Sequence, residues 1–335
     1  MKEIDMMKKK LFASMLAGIM ALSLAACGGT AEKPSAQEPE NPAEQTYTVG
    51  ICQLAPHPAL DAATQGFQDA LKEALGDRVT FDSQNAAGDS NTCATIINGF
   101  VSADVDLILA NATPALQAAV AATSDIPVLG TSVTEYGVAL GINDFSGTVG
   151  TNVSGTSDLA PLDKQAAMVK EWFPDAKTVG LLFCSAEANS QYQVDTVQAE
   201  LENLGLTCTQ YPFSDTNDMS SVTQSAVDNS DVLYVPTDNT CANNAGIIDN
   251  IARPAGVPII AGEEGICSGC GVATLSISYY DLGVATGNMA VRILTGEADV
   301  SEMPIEYAPQ FTQKYNAAIC ADLGLTPPDG YEAIA

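Results

Sequence analysis

Basic side chains are scarce in this chain. Its 13 Lys plus Arg and one His face 41 Asp plus Glu, a formal charge of −28, which repels phosphate backbones and anionic membrane surfaces and excludes nucleic acid as a partner. With His57 the only histidine, a zinc or other His-rich centre has too few ligands, so neither a metal nor a cofactor is expected. The sequence also lacks a P-loop, a His-Glu-x-x-His pair and a Gly-x-Ser-x-Gly elbow. No nucleophile, base and acid come together, so an enzyme is not expected; an exported α/β enzyme stays as an alternative.

What is present suits a folded, exported protein. At 335 residues, 46% hydrophobic and 16% charged, the chain can bury a sizeable core and divides most naturally into two domains. It starts with Lys8, Lys9 and Lys10, continues through an apolar stretch at 11–24, and reaches the small residues Ala25 and Ala26 before Cys27. That order is a secretory signal, short for a membrane span. Leu24-Ala25-Ala26-Cys27-Gly28 resembles the lipobox of bacterial lipoproteins, which implies cleavage after residue 26 and lipid on Cys27. Cleavage leaves 9 basic and 39 acidic groups, about −30 by the same count, so lipid rather than charge must hold the protein at a membrane. Residues 27–45, rich in Gly, Ala, Pro, Glu and Gln, read as a flexible tether.

The folded part is organised around residues 231–242, Asp-Val-Leu-Tyr-Val-Pro-Thr-Asp-Asn-Thr-Cys-Ala. Val232 to Val235 suit a strand covered on both faces, and Asp238, Asn239 and Thr240 are good N-caps for a following helix. Residues 106–117 repeat the same order of acid, apolar strand, polar turn and helix start. Two further echoes keep the register: 178–185 matches the first strand at 47–54, and 256–260 matches 125–129, all at offsets of roughly 125 to 131 positions. Between them, strand patterns at 47–54, 78–82, 107–110 and 125–130 alternate with helical ones at 57–75, through 96–101 and at 114–122, with a polar loop at 83–90. The alternation predicts parallel sheets with helices on both faces. The repetition predicts two similar doubly wound α/β lobes facing each other across a cleft rimmed by strand-to-helix turns.

Several segments in order carry a resemblance. His57-Pro58-Ala59-Leu60-Asp61, Asn111-Ala112-Thr113-Pro114, Ser154-Gly155-Thr156-Ser157-Asp158, Glu187-Ala188-Asn189-Ser190, Pro236-Thr237-Asp238-Asn239, and Ala273-Thr274-Leu275 before Tyr279-Tyr280-Asp281-Leu282-Gly283 together resemble the substrate-binding lipoproteins of ABC transporters. The nearest group is the one that includes tryptophan and other aromatic amino-acid binders. The resemblance spans 47–325 and implies the type I periplasmic-binding fold, with three hinge segments, a ligand in the cleft and a permease as partner. It places crossings near Gly155, Ser276 to Ser278 and Pro304, hence one lobe from 46–155 plus 278–303 and another from 156–277 plus 304–335. It implies an extracytoplasmic, lipid-anchored receptor for Trp, Tyr or Phe. A receptor of the same fold for a nucleoside, sugar or other amino acid remains open.

An amino-acid ligand needs donors for its carboxylate, an acceptor for its ammonium and a surface for its side chain. Only Arg78, Arg253 and Arg292 exist, none on an expected strand-to-helix turn, so hydroxyls and helix N-termini at Thr113, Asn189 and Ser190 are expected to hold the carboxylate. Asp238 is the expected ammonium partner, with a pure capping role as the alternative. His57 and Asp61 share the first turn. Gln53, Gln84 and Asn85 end the first two strands, Thr131, Ser132 and Thr134 follow the fourth, and Glu263 and Glu264 follow its counterpart in the second half. Of those two acids Glu264 is taken for the site, with Glu187 and Asn239 from the resembling segments and Tyr279 as a ring face beside Tyr280. Eight cysteines remain besides Cys27; Cys267 and Cys270 have C-x-x-C spacing, for which a local disulfide or free thiols are expected rather than a metal.

Overall fold

The computed structural model describes residues 45–334. The expected signal peptide, the lipidation site Cys27 and the tether up to residue 44 lie outside the described residues. No helix among the described residues is long and apolar enough to cross a membrane.

The first half contains β1 (Tyr47–Gln53), α1 (Pro58–Leu75), β2 (Val79–Asn85), α2 (Ser90–Ser102), β3 (Leu107–Asn111), α3 (Thr113–Ala122), β4 (Val128–Val133), α4 (Tyr136–Leu140) and β5 (Val153–Ser157). The second contains α5 (Leu162–Trp172), β6 (Thr178–Cys184), α6 (Ala188–Asn203), β7 (Thr207–Phe213), α7 (Thr216–Asn229), β8 (Val232–Val235), α8 (Asn239–Asn243), α9 (Ala245–Ala255), β9 (Ile259–Ala261), α10 (Glu264–Cys270) and β10 (Ala273–Ser276). After them come α11 (Tyr279–Leu294), β11 (Glu306–Tyr307), β12 (Thr312–Tyr315), α12 (Ala317–Asp322) and β13 (Glu332–Ala333). Two separate sheets result, ordered β2-β1-β3-β4-β5-β11 and β7-β6-β8-β9-β10-β12-β13. The first five strands of each follow one topology, and among the described residues only the β10 to β12 pairing is antiparallel. The anticipated doubling is therefore a property of the fold.

Each sheet is covered on both faces because alternate strand residues feed different cores. Leu107 and Leu109 of β3 pack with Phe67 and Met289, whereas Ile108 and Ala110 pack with Phe100 and Leu116. In the second sheet Val232 and Tyr234 of β8 join Val194 and Val197, while Leu233 and Val235 join Met219 and Ile248. The repeated acid before each of these strands has a structural task. Asp106 accepts from the Thr48 N–H at 2.7 Å, and Asp231 accepts from the Lys177 and Thr178 N–H groups at 2.9 Å, tying adjacent strand starts together.

Strand membership locates the three crossings. β5 keeps Thr156 and Ser157 in the first sheet, and β11 pairs Glu306 with Thr156 and Tyr307 with Ser157. The first lobe therefore extends a few residues past the divisions anticipated at 155 and 303. Two element limits also differ from expectation. β2 continues to Asn85 through part of the anticipated polar loop, because as an edge strand it keeps its ladder to β1 while its side chains face water. β4 begins at Val128 and runs to Val133, the acid and proline before it forming the turn.

α11 returns to the first lobe and lies along α1 at small-residue contacts. A Cβ on Gly66 would overlap the Tyr280 carbonyl, and one on Gly283 would overlap the Ala63 carbonyl. Because α11 starts directly at the second crossing, this packing fixes where the hinge leaves the lobe. Gly283→Leu is expected to push the helices apart and cost about 3 kcal/mol, read as a drop of several degrees in Tm. An unchanged Tm would contradict so close a contact.

Candidate functional site

The carboxyl ends of the parallel strands in both sheets face one cleft, the place where open α/β sheets hold ligands. A narrow cavity there is lined from the first lobe by His57, Ala59 and Leu60 at the start of α1 and by Ser132 and Thr134 at the end of β4. Asn189, Thr237, Asp238, Asn239, Ala242 and Glu263 line it from the second lobe, and Asp158 and Tyr279 from the first two crossings. Its volume is about 10 Å³, room for roughly one water, so any larger guest requires the lobes to part. Toward the mouth, a recess of about 260 Å³ shares Asn239 with it and is bordered by Glu187, Pro114, Ser90 and Thr216.

Three buried carboxyls meet at the narrow cavity, and none of the Lys or Arg side chains lines it. Asp238 caps α8: its Oδ1 accepts from the Cys241 N–H at 2.8 Å and its Oδ2 from the Cys184 N–H at 2.7 Å. Burial, with the Glu187 charge second, pushes it up to about 7 against those bonds. Glu263 caps α10 through the Gly265 and Ile266 N–H groups and is likewise pushed up to about 7 by burial. Asp158 differs. Its Oδ2 accepts from the Tyr279 hydroxyl at 2.9 Å, while its buried Oδ1 accepts nothing. Burial raises its pKa, opposed by the Tyr279 and Thr134 hydroxyls. That Tyr279–Asp158 bond joins the first and second crossings, so the free oxygen sits on the hinge itself.

A polar bridge spans the lobes beside these acids. His57 Nε2 lies 3.2 Å from Asn239 Oδ1, and the Asn239 amide donates to Glu187 Oε2 at 2.6 Å. The amide orientation makes Nε2 the donor, leaving the buried Nδ1 without a partner. Burial lowers the His57 pKa, opposed by the bond to Asn239 and the charges of Glu187 and Asp61. Glu187 also takes the Asn239 and Thr240 N–H groups, at 3.1 and 2.9 Å. The start of α8 is thus closed by two acids of its own lobe.

Of the residues singled out in the sequence, the fold brings His57, Ser132, Thr134, Asn189, Asp238, Asn239 and Tyr279 to the narrow cavity and Glu187 to the adjoining recess. The others lie elsewhere. Gln53 donates to Asp61 at 2.6 Å and accepts from Thr64, a network that braces the turn after β1 inside its own lobe. Gln84 and Asn85 are exposed on the edge strand β2; Gln84 bonds Asp82 and Asn85 caps its own turn through the Ala87 N–H. Thr131 pairs with Thr156 under the first crossing, Thr113 is buried at the start of α3, and Ser190 lies beneath Asn189. Glu264 turns away to Lys314 on β12 at 2.6 Å, leaving the inward position to Glu263. Asp158, Thr237, Ala59, Leu60 and Ala242 also line the cavity without having been singled out for it; an acid immediately after the strand that enters a crossing was the available signal for Asp158.

The eight cysteines among the described residues are unpaired thiols, and no His, Cys, Asp and Glu cluster among those residues is arranged to hold a metal. Cys267 and Cys270 are buried on α10, and burial pushes both thiols up.

Known proteins share this architecture. A family model described as ABC transporter substrate binding protein matches residues 48–334. A tyrosine-binding protein of Clostridioides difficile (strain R20291) is 35% identical over 302 residues, covering 89% of this chain and 87% of that protein. A Streptococcus pneumoniae ABC domain solved in complex with L-Trp is 32% identical with a TM-score of 0.82, covering 87% of this chain and 100% of that one. A ligand-free, open substrate-binding protein with adhesive properties from Clostridium difficile is 38% identical, covering 86% and 99%, yet its TM-score is 0.66. The more similar sequence superposes less well, which fits lobes drawn together here and held by the His57–Asn239 bridge.

The raised carboxyls carry a pH signature. Asp238 and Glu263 hold protons in the folded state that the unfolded chain gives up near 4, so their contribution to stability is full below about pH 4 and is lost as pH rises through about 7. Glu263→Gln is expected to flatten the fall in Tm between pH 5 and pH 8 relative to wild type. An identical slope in both proteins would show that Glu263 is not so perturbed.

Proposed function

The chain belongs to the ABC transporter substrate-binding protein family, and on that premise we propose that it captures an aromatic amino acid between its lobes and passes it to a membrane permease. Members of the family are extracytoplasmic solute-binding proteins, not enzymes. The observation that carries the ligand class is the acid-lined cavity without Lys or Arg: three buried carboxyls with no lysine or arginine beside them call for a cationic group on the guest. Ala59, Leu60, Ala242 and the Tyr279 ring supply the apolar surface beside them. The relative named as tyrosine-binding and the neighbour solved with L-Trp support an aromatic side chain.

Asp158 takes the ammonium. It is the cavity acid with an uncommitted oxygen, whereas Asp238 and Glu263 are held by backbone N–H groups and contribute mainly field. Binding proceeds by hinge rotation about the crossings, with the closed form favoured once the guest offsets the buried negative charge. Lipid on Cys27 keeps the receptor near its permease.

Thermal-shift screening of the twenty amino acids tests the ligand class, since a ligand at 100 times its Kd adds about 2.7 kcal/mol. Trp, Tyr or Phe should raise Tm; no shift with any of the three contradicts the proposal. Asp158→Asn should weaken the best ligand by roughly 10- to 100-fold, the loss of one charge-assisted bond, and wild-type affinity would remove Asp158 from this role. Cys27→Ala should release the protein from the membrane fraction of the source cell; full retention there would contradict the lipid anchor.

A further inference from the structure

We propose that the ligand's carboxylate sits on the N-terminus of α1, held by the Ala59 and Leu60 N–H groups and the Ser132 hydroxyl. This rests on the reading of the cleft as an amino-acid site and assigns the end of the ligand that Asp158 does not hold.

Most helix starts around the cleft are closed from within the chain. Asp89 caps α2, Asp215 caps α7, Asp238 and Glu187 close α8, Glu263 closes α10 and Ser278 caps α11. α1 is different. It is 18 residues long, its N-cap His57 makes no side-chain capping bond, and proline occupies its first position. The Asp61 N–H reaches the His57 carbonyl, but among the described residues no capping acceptor meets the N–H groups of Ala59 or Leu60. Both residues are buried, at 6% and 1% exposure, and both line the cavity. Buried, unmatched N–H groups at a helix N-terminus, with the dipole behind them, are a ready site for an anion.

A second observation points the same way. Ser132 is 6% exposed, lines the same cavity, and its Oγ has no partner. Its backbone is held at φ 54°, in the left-handed region that a serine seldom adopts. Non-glycine residues held there cluster at ligand clamps, where the surroundings enforce the geometry. The two ends of an α-amino acid thereby find different walls: acceptors on the hinge at Asp158, donors on the first lobe at α1 and Ser132. The donors expected elsewhere are already committed. The Asn189 amide donates to Glu187 at 3.2 Å and to the Thr237 carbonyl at 3.1 Å, and Thr113 does not line the cavity.

The test compares L-tryptophan and L-tyrosine with tryptamine and tyramine, the same molecules without the carboxylate, on wild type and Ser132→Ala by isothermal titration. In wild type the amines should bind roughly 10- to 100-fold more weakly than the amino acids, the scale of hydrogen bonds to a charged group. Ser132→Ala should weaken the amino acids several-fold and leave the amines unchanged, a selectivity that misfolding or general loosening would not produce. Amines that bind as tightly as the amino acids, or a Ser132→Ala loss equal for both, would overturn the carboxylate assignment while the amino-acid reading stands. No binding by any of the four would overturn both.

Discussion

Burying carboxyl groups where no protein cation can reach them is the constraint on which this structure turns. Asp158, Asp238 and Glu263 line one cavity, with Glu187 beside it, and no described Lys or Arg lines that cavity; Arg253 pairs with Asp249 and Asp322, Arg292 with Glu306 and Lys314 with Glu264. Enclosed like charges cost free energy unless a partner or a proton neutralises them. Asp238 and Glu263 meet that cost partly through backbone N–H groups and partly by holding protons toward neutral pH. A guest ammonium would replace those protons and make closure favourable. Capture and closure are then one equilibrium, biased by charge.

The scaffold turns that local electrostatic choice into motion. Two sheets of one topology aim their carboxyl ends at a shared cleft, and three strand crossings join them. The Tyr279–Asp158 bond ties two of those crossings together at the acid with a free oxygen. Farther out, the His57–Asn239 bridge is made only when the lobes approach, and Asn239 is in turn held by Glu187. Contacts at the hinge and at the rim therefore respond to the same rotation.

Much of this was legible in the sequence. The acid, strand, turn and helix order at 106–117 and 231–242 gave the two lobes, and the N-cap chemistry of Asp238 was readable from its place before Asn239 and Thr240. Polar residues at strand ends were only half informative. Gln53 and Gln84 both end strands, but the turn network absorbs one and the sheet edge exposes the other. Glu263 and Glu264 are neighbours of identical chemistry; which of them faces inward depends on the N-cap geometry of a seven-residue helix and on Lys314, 50 positions away. Asp158 was hidden for another reason. It lies in an irregular crossing, where neither helical nor strand periodicity tells which way a side chain points.

The account rests on an acid at the hinge meeting the positive end of the ligand. A crystal structure of the protein with L-tryptophan or L-tyrosine bound tests it most directly. The ammonium nitrogen should lie within about 2.7–2.9 Å of Asp158 Oδ1, the spacing of a charge-assisted bond, between closed lobes. An ammonium turned toward solvent or toward other acceptors, with Asp158 touching no part of the ligand, would contradict it.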